Sequence, residues 1–122
     1  MHGRVNSLLE AMVEVVALDA NGEFTIIDAI VDTASNAPLT LPPDLIHELA
    51  LQPVREIKST LADGSELESP VYLARLFIRG EAVDVDVVEV NGDPLLGMPL
   101  MEGCSLHIEV VSGGDVAIEL LV

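Results

Sequence analysis

The chain has 122 residues, with 5 Lys+Arg against 21 Asp+Glu and a formal net charge of −16. With 50% apolar residues it can bury the core of one domain, but it is too short for two full lobes. The acidic balance and the 2% of aromatic residues argue against nucleic acid or an anionic membrane as the main partner, since both need clustered Lys and Arg and single strands need stacking platforms.

One cysteine, Cys104, excludes an internal disulfide framework and a multi-thiolate metal site, and it fits a reducing compartment. No apolar run reaches the roughly 18–20 residues of a membrane span. Residues Met1 to Glu10 lack the apolar stretch of a secretion signal. The expectation is a soluble, cytoplasmic, single-domain protein over 1–122, with its core over about 11–121.

The dominant signal along the chain is β. Residues 11–18 and 24–31, joined through Asn21-Gly22, read as an antiparallel hairpin. Leu39-Thr40-Leu41 suits a short strand. Pro42-Pro43 opens a short helix over roughly 43–50, with Asp44 in its first turn and Leu45, Ile46 and Leu49 as its apolar face. A second hairpin centres on Asp63-Gly64, with arms near 55–62 and 66–79. Beyond the Arg79-Gly80 turn, residues 82–90 alternate, placing Val83, Val85 and Val87 on one face and Asp84, Asp86 and Val88 on the other. Leu95-Leu96-Gly97 and a single helical turn follow, then two strands at 105–111 and 115–121 around Ser112-Gly113-Gly114. Many short strands with frequent turns predict an all-β fold, a small closed or partly open barrel with one or two short helices.

The segment richest in chemistry is Ile30-Val31-Asp32-Thr33-Ala34-Ser35. A carboxylate at a strand end projects into a loop, where function concentrates, and small hydroxyl residues can orient it. The same residues also make an ordinary Asx or Ser/Thr turn. Other groups point elsewhere. His47-Glu48 starts like HExxH, but Leu51 stands where the second histidine belongs. Asp84, Asp86 and Glu89 read as a solvated strand face rather than a cation site, and Cys104 as a buried, inert thiol. Ser35 has no base near it in sequence.

In order along the chain, Asp32-Thr33, Leu39 to Leu45, Leu61-Ala62-Asp63-Gly64-Ser65, Asp93 to Met98 and Ser105 to Glu119 resemble the retropepsin-like (retroviral-type) aspartic proteases, especially their small prokaryotic relatives. The resemblance covers about residues 11–121. It implies a closed barrel of that type, no metal or organic cofactor, a peptide or protein substrate, and a homodimer. Asp32 would supply one of two carboxylates around a water, and Thr33 would lock the two loops across the interface. Ala34, Ser35, Ala62, Asp63 and Gly64 would contact substrate, the last three from a flap. Two close carboxylates share a proton, so one acts as base and the other as acid. Ala34 departs from the signature glycine. The alternative reading is therefore a catalytically weak or inactive peptide-binding module on the same fold. A third is a β domain whose acidic faces meet a basic partner.

Overall fold

The structure, a computed structural model, describes residues 1–122. Its strands are β1 (His2–Val5), β2 (Ala11–Leu18), β3 (Phe24–Asp32), β4 (Leu39–Leu41), β5 (Gln52–Thr60), β6 (Glu66–Ile78), β7 (Glu81–Glu89), β8 (Leu95–Gly97), β9 (Cys104–Ile108) and β10 (Asp115–Leu120). One helix, α1 (Pro43–Glu48), follows β4, and one 3-10 turn (Met98–Met101) follows β8.

Strands β6, β7, β4, β8, β3 and β2 neighbour one another in that order, and β2 pairs back onto β6. That closes a six-stranded barrel, as the turn spacing predicts. Alternation fills it. Val13, Val15 and Ala17 of β2, Ile27 and Ala29 of β3, Ala74 and Leu76 of β6, and Leu39, Leu41, Val87 and Leu96 all point inward and are buried. The turns form where glycine supplies them. Gly22, Gly64 and Gly80 all have positive φ, a conformation that suits glycine best.

A second layer continues from the barrel wall, in the order β2-β1-β10-β9. Strand β1 is an addition to the sequence reading. It sits between β2 and β10, with Gly3 opposite both Val13 and Val116. A Cβ at Gly3 would lie 1.7 Å from the Met12 carbonyl oxygen, so only glycine allows this approach.

Some expectations need correction, among them the strand read over 105–111, which ends at Ile108. The helix ends two residues early, at Glu48. Ala50 takes φ 53°, and the Leu51 N–H closes back onto the Ile46 carbonyl, which is a left-handed helix cap. Val83 shares one face with Val85 and Val87, as the alternation predicts, but unlike them it is 39% exposed. Cys104 is half-buried, and its Sγ accepts a hydrogen bond from the Arg79 guanidinium at 3.8 Å. The outward carboxylates of β7 are paired. Asp84 meets Arg75, and Asp86 takes a two-pronged contact from Arg55, whose guanidinium this hydrogen bonding and charge hold above its usual range.

Candidate active site

Val31 packs on the core, so Ile30 and Asp32 project to the opposite face of β3. Strand register extends that face sideways. Ile30 lies opposite Leu95 of β8, Leu95 opposite Thr40 of β4, Thr40 opposite Val88 of β7, and Val88 opposite Val71 of β6. These five side chains form a floor. Asp32 stands one step along it, opposite Gly97. At the far side of the floor β5 and β6 run outward as the hairpin whose tip is Leu61–Ser65. From Lys58 to Glu68 every residue is exposed, so the tip carrying Ala62, Asp63 and Gly64 is not packed against the Asp32 loop within one chain.

The Asp32 loop is built from hydrogen bonds that need no unusual backbone. The Ala34 N–H donates to Asp32 Oδ1 at 3.0 Å, and the Ser35 N–H to the Asp32 carbonyl at 3.2 Å. Ser35 Oγ accepts the Ala37 N–H at 3.2 Å. The Met98 N–H donates to the Ser35 carbonyl at 3.1 Å and the Gly97 N–H to the Pro38 carbonyl at 3.0 Å. The loop is thus stitched to the end of β8. Gly97 makes this possible, since a Cβ there would lie 1.9 Å from the Ala37 carbonyl oxygen and 3.0 Å from Ser35 Oγ.

Asp32 is half-buried, and Thr33 and Ala34 are exposed. Ala34 is absent from the positive-φ residues, which apart from glycines are Leu9, Ala50 and Arg79. The loop therefore accepts alanine without strain. Ser35 has no histidine among its hydrogen-bond partners and serves the loop. His47 is exposed on α1, and Cys104 and His107 fall on opposite faces of β9.

At the hairpin tip Asp63 accepts the Ser65 hydroxyl at 2.5 Å and the Ser65 N–H at 2.9 Å. These bonds favour the ionised form and hold Asp63 below its ordinary range, the hydroxyl contributing most. A lowered pKa means that the turn is fully held above the usual carboxylate range and is released as pH falls through the lowered value. We expect the Ser65 amide resonance to titrate below an ordinary aspartate, and Ser65→Ala to bring that midpoint back up. Identical midpoints in the two proteins would contradict the turn.

A six-stranded closed barrel with a projecting hairpin and an aspartate loop stitched to a Leu-Leu-Gly strand is the retropepsin-like fold. Two solved structures agree. A retropepsin-like aspartic protease from Rickettsia conorii superposes with a TM-score of 0.55 at 14% identity, covering 98% of this chain and 90% of that one. The inhibitor-bound EIAV protease superposes with a TM-score of 0.52 at 15% identity, covering 76% of this chain and 86% of that one. No protein-family model matches the sequence, and no curated protein does. No helix is long and apolar enough to cross a membrane.

Proposed function

We propose that the chain is an aspartic endopeptidase that works as a two-fold homodimer. The observation that best supports this is the placement of Asp32, at the open end of a barrel strand, beside an apolar floor, on the retropepsin-like fold. One such carboxylate cannot be base and acid at once. Two symmetry-related Asp32 side chains sharing a proton can. The ionised one takes a proton from water as the water oxygen bonds to the scissile carbonyl carbon. The protonated one donates to the carbonyl oxygen. The C–N bond then breaks, and a proton passes to the departing amine. Thr33 and Ser35 would border this centre, and Ala62, Asp63 and Gly64 would close over the peptide.

The edge of β9 suits the partner copy. Leu121 N–H donates to the Gly103 carbonyl, and Glu109 N–H to the Asp115 carbonyl. Antiparallel alternation between these points turns the backbone groups of Cys104, Leu106 and Ile108 away from β10, toward the open edge. A second β9, antiparallel and two-fold related, would satisfy them. Leu106→Pro removes one edge N–H that the single chain does not use. It is expected to raise the dimer dissociation constant at least about tenfold, or ~1.4 kcal/mol, and to lower cleavage at dilute protein in parallel. Sedimentation and peptide cleavage in one buffer check this, and an unchanged dimer would reject the edge.

The test of the whole reading is cleavage of a peptide library from mildly acidic to neutral pH, with the oligomeric state followed alongside. A properly dimeric chain that cuts nothing would overturn it. Ala34→Gly then separates the enzyme from the binding module. Since Ala34 needs no glycine conformation, we expect the glycine chain to cut within a few-fold of the native one and to lose about 0.5–1 kcal/mol of stability through a freer unfolded state. Activity that appears only with glycine would instead favour the binding module.

A further inference from the structure

The two phenylalanines of the chain, Phe24 and Phe77, lie outside the core. Val15, Ala17, Ile27 and Leu76 point into the barrel, so alternation turns Val16, Leu18, Phe24, Ile26 and Phe77 outward. Register gathers these five. Ile26 lies opposite Val16, Val16 opposite Phe77, and Phe24 opposite Leu18. The two rings meet edge to face across β2, with centroids 5.6 Å apart. Phe24 and Ile26 are each 62% exposed and Phe77 is 41% exposed, so no other element covers the face. Leu18 also lines an adjoining cleft of about 440 Å³, whose walls include Leu49, Leu51, Val54 and Leu73. A contiguous apolar patch with a polar rim marks an interaction surface.

The rim here is acidic. One row beyond Val16 and Ile26, Glu14 and Asp28 stand directly opposite each other on the same outward face. Both are exposed, and neither belongs to any of the protein's ion pairs. Like charges facing one another across two strands are destabilising. Asp19 and Glu23 bound the other end of the patch, at the β2–β3 turn. Two cations flank the face, Arg75 opposite Leu18 and Arg4 opposite Met12, and each is already engaged, by Asp84 and Asp115.

We propose that this face docks a segment of another protein that carries bulky apolar side chains flanked by Lys or Arg. The apolar side chains lie on the phenylalanine pair and reach the cleft, and a cation sits between Glu14 and Asp28. A second copy of the chain suits the face poorly. Two-fold self-contact sets one acidic rim against another, in chains that each carry −16. The inference does not rest on the catalytic reading of Asp32.

The probe is a fluorescein-labelled amphipathic helix of about four turns, with Leu on one face and Lys on the other. One control peptide exchanges every Lys for Glu, and a second exchanges every Leu for Ser. Binding is read by anisotropy on the Asp32→Asn chain, so that no probe is cut. The Leu/Lys probe is expected to bind, and either control at least about tenfold more weakly. Ile26→Lys, at an exposed position, should weaken binding at least about tenfold. Phe24→Ser combined with Phe77→Ser should do the same in a chain that a thermal melt shows to be folded. Glu14→Gln with Asp28→Asn should weaken binding several-fold and flatten its salt dependence. Glu56→Gln with Glu102→Gln removes the same charge elsewhere and should leave binding unchanged. Equal weakening by these two pairs would mean attraction by net charge alone and would overturn the inference. Undiminished binding by the Ile26→Lys chain overturns it too, as does a Leu/Lys probe that fails to bind. Self-association that Ile26→Lys abolishes, with probe binding unaltered, would make the occupant a second copy and reject the proposal.

Discussion

Replacing Asp32 with Asn is expected to abolish peptide cleavage and leave the barrel folded. The carboxylate is half-buried and makes one hydrogen bond within the chain, from the Ala34 N–H. Asparagine keeps an oxygen at that place, so the turn persists, and a surface-like change of this kind moves stability by about 0.5 kcal/mol or less. The chemistry is another matter. A carboxamide neither takes a proton from water at neutral pH nor shares one with its mate. Losing the general base and acid together removes at least about 10²–10⁴-fold in kcat/KM. Turnover of a fluorogenic peptide, read beside a thermal melt, measures both sides. A variant that melts like the native chain and still cuts at the native rate would place the chemistry elsewhere on the molecule.

The largest structural effect is expected at Gly97. An alanine methyl there meets the Ala37 carbonyl oxygen at 1.9 Å, with the Ser35 carbonyl and Oγ at 3.0 Å. All three belong to the loop that Gly97 holds; two are backbone oxygens, and the third, Ser35 Oγ, is held by the Ala37 N–H. Either β8 or the loop must move by more than an ångström. Overpacking in a well-filled core costs typically 1–3 kcal/mol, and backbone against backbone belongs at or above that upper end, ~3 kcal/mol. Since the Gly97 and Met98 N–H groups anchor the loop, the displaced part is the turn that carries Asp32. Gly97→Ala should therefore lose activity even at temperatures where most of it is folded. Native activity per folded molecule, by calorimetry and turnover together, would mean that the loop tolerates the shift.

Much of this architecture is legible in the residues, because local chemistry specifies it. Asn21-Gly22, Asp63-Gly64 and Arg79-Gly80 supply the positive φ that hairpins need, and the β-rich segments flanking them then pair as expected. The tie between the Asp32 loop and Leu95-Leu96-Gly97 is different: local chemistry does not link these two segments, and only the family resemblance carried by Asp32-Thr33 and Asp93 to Met98 points to it. Strand β1 is not legible in the residues. Four residues with one buried valine carry no periodicity, and their partners lie at the other end of the chain. The early end of α1 was hidden too, because Ala50 takes a left-handed conformation that alanine seldom adopts. Thr40 looked like one more strand residue. Only the register of four neighbouring strands reveals that its hydroxyl lies on the Asp32 face, buried and unpaired. A carboxylate also does not announce its partner. The second copy is a matter of edges and symmetry, which a single sequence does not display.

The placement of β1 has a kinetic consequence. The Met1 ammonium donates to the Ile118 carbonyl across a sequence separation of 117 residues, and the Ile118 N–H answers to the Met1 carbonyl. Strand β1 can pair with β2 early, but its other edge stays open until β10 has been made. Contacts this distant make for slow folding, because loop closure must precede any gain. During that wait the open strand edges are templates for other chains. The charge of −16 is a guard in this interval, since it makes nascent copies repel one another. Refolding yield should therefore fall as added salt screens that repulsion, most steeply at high protein concentration.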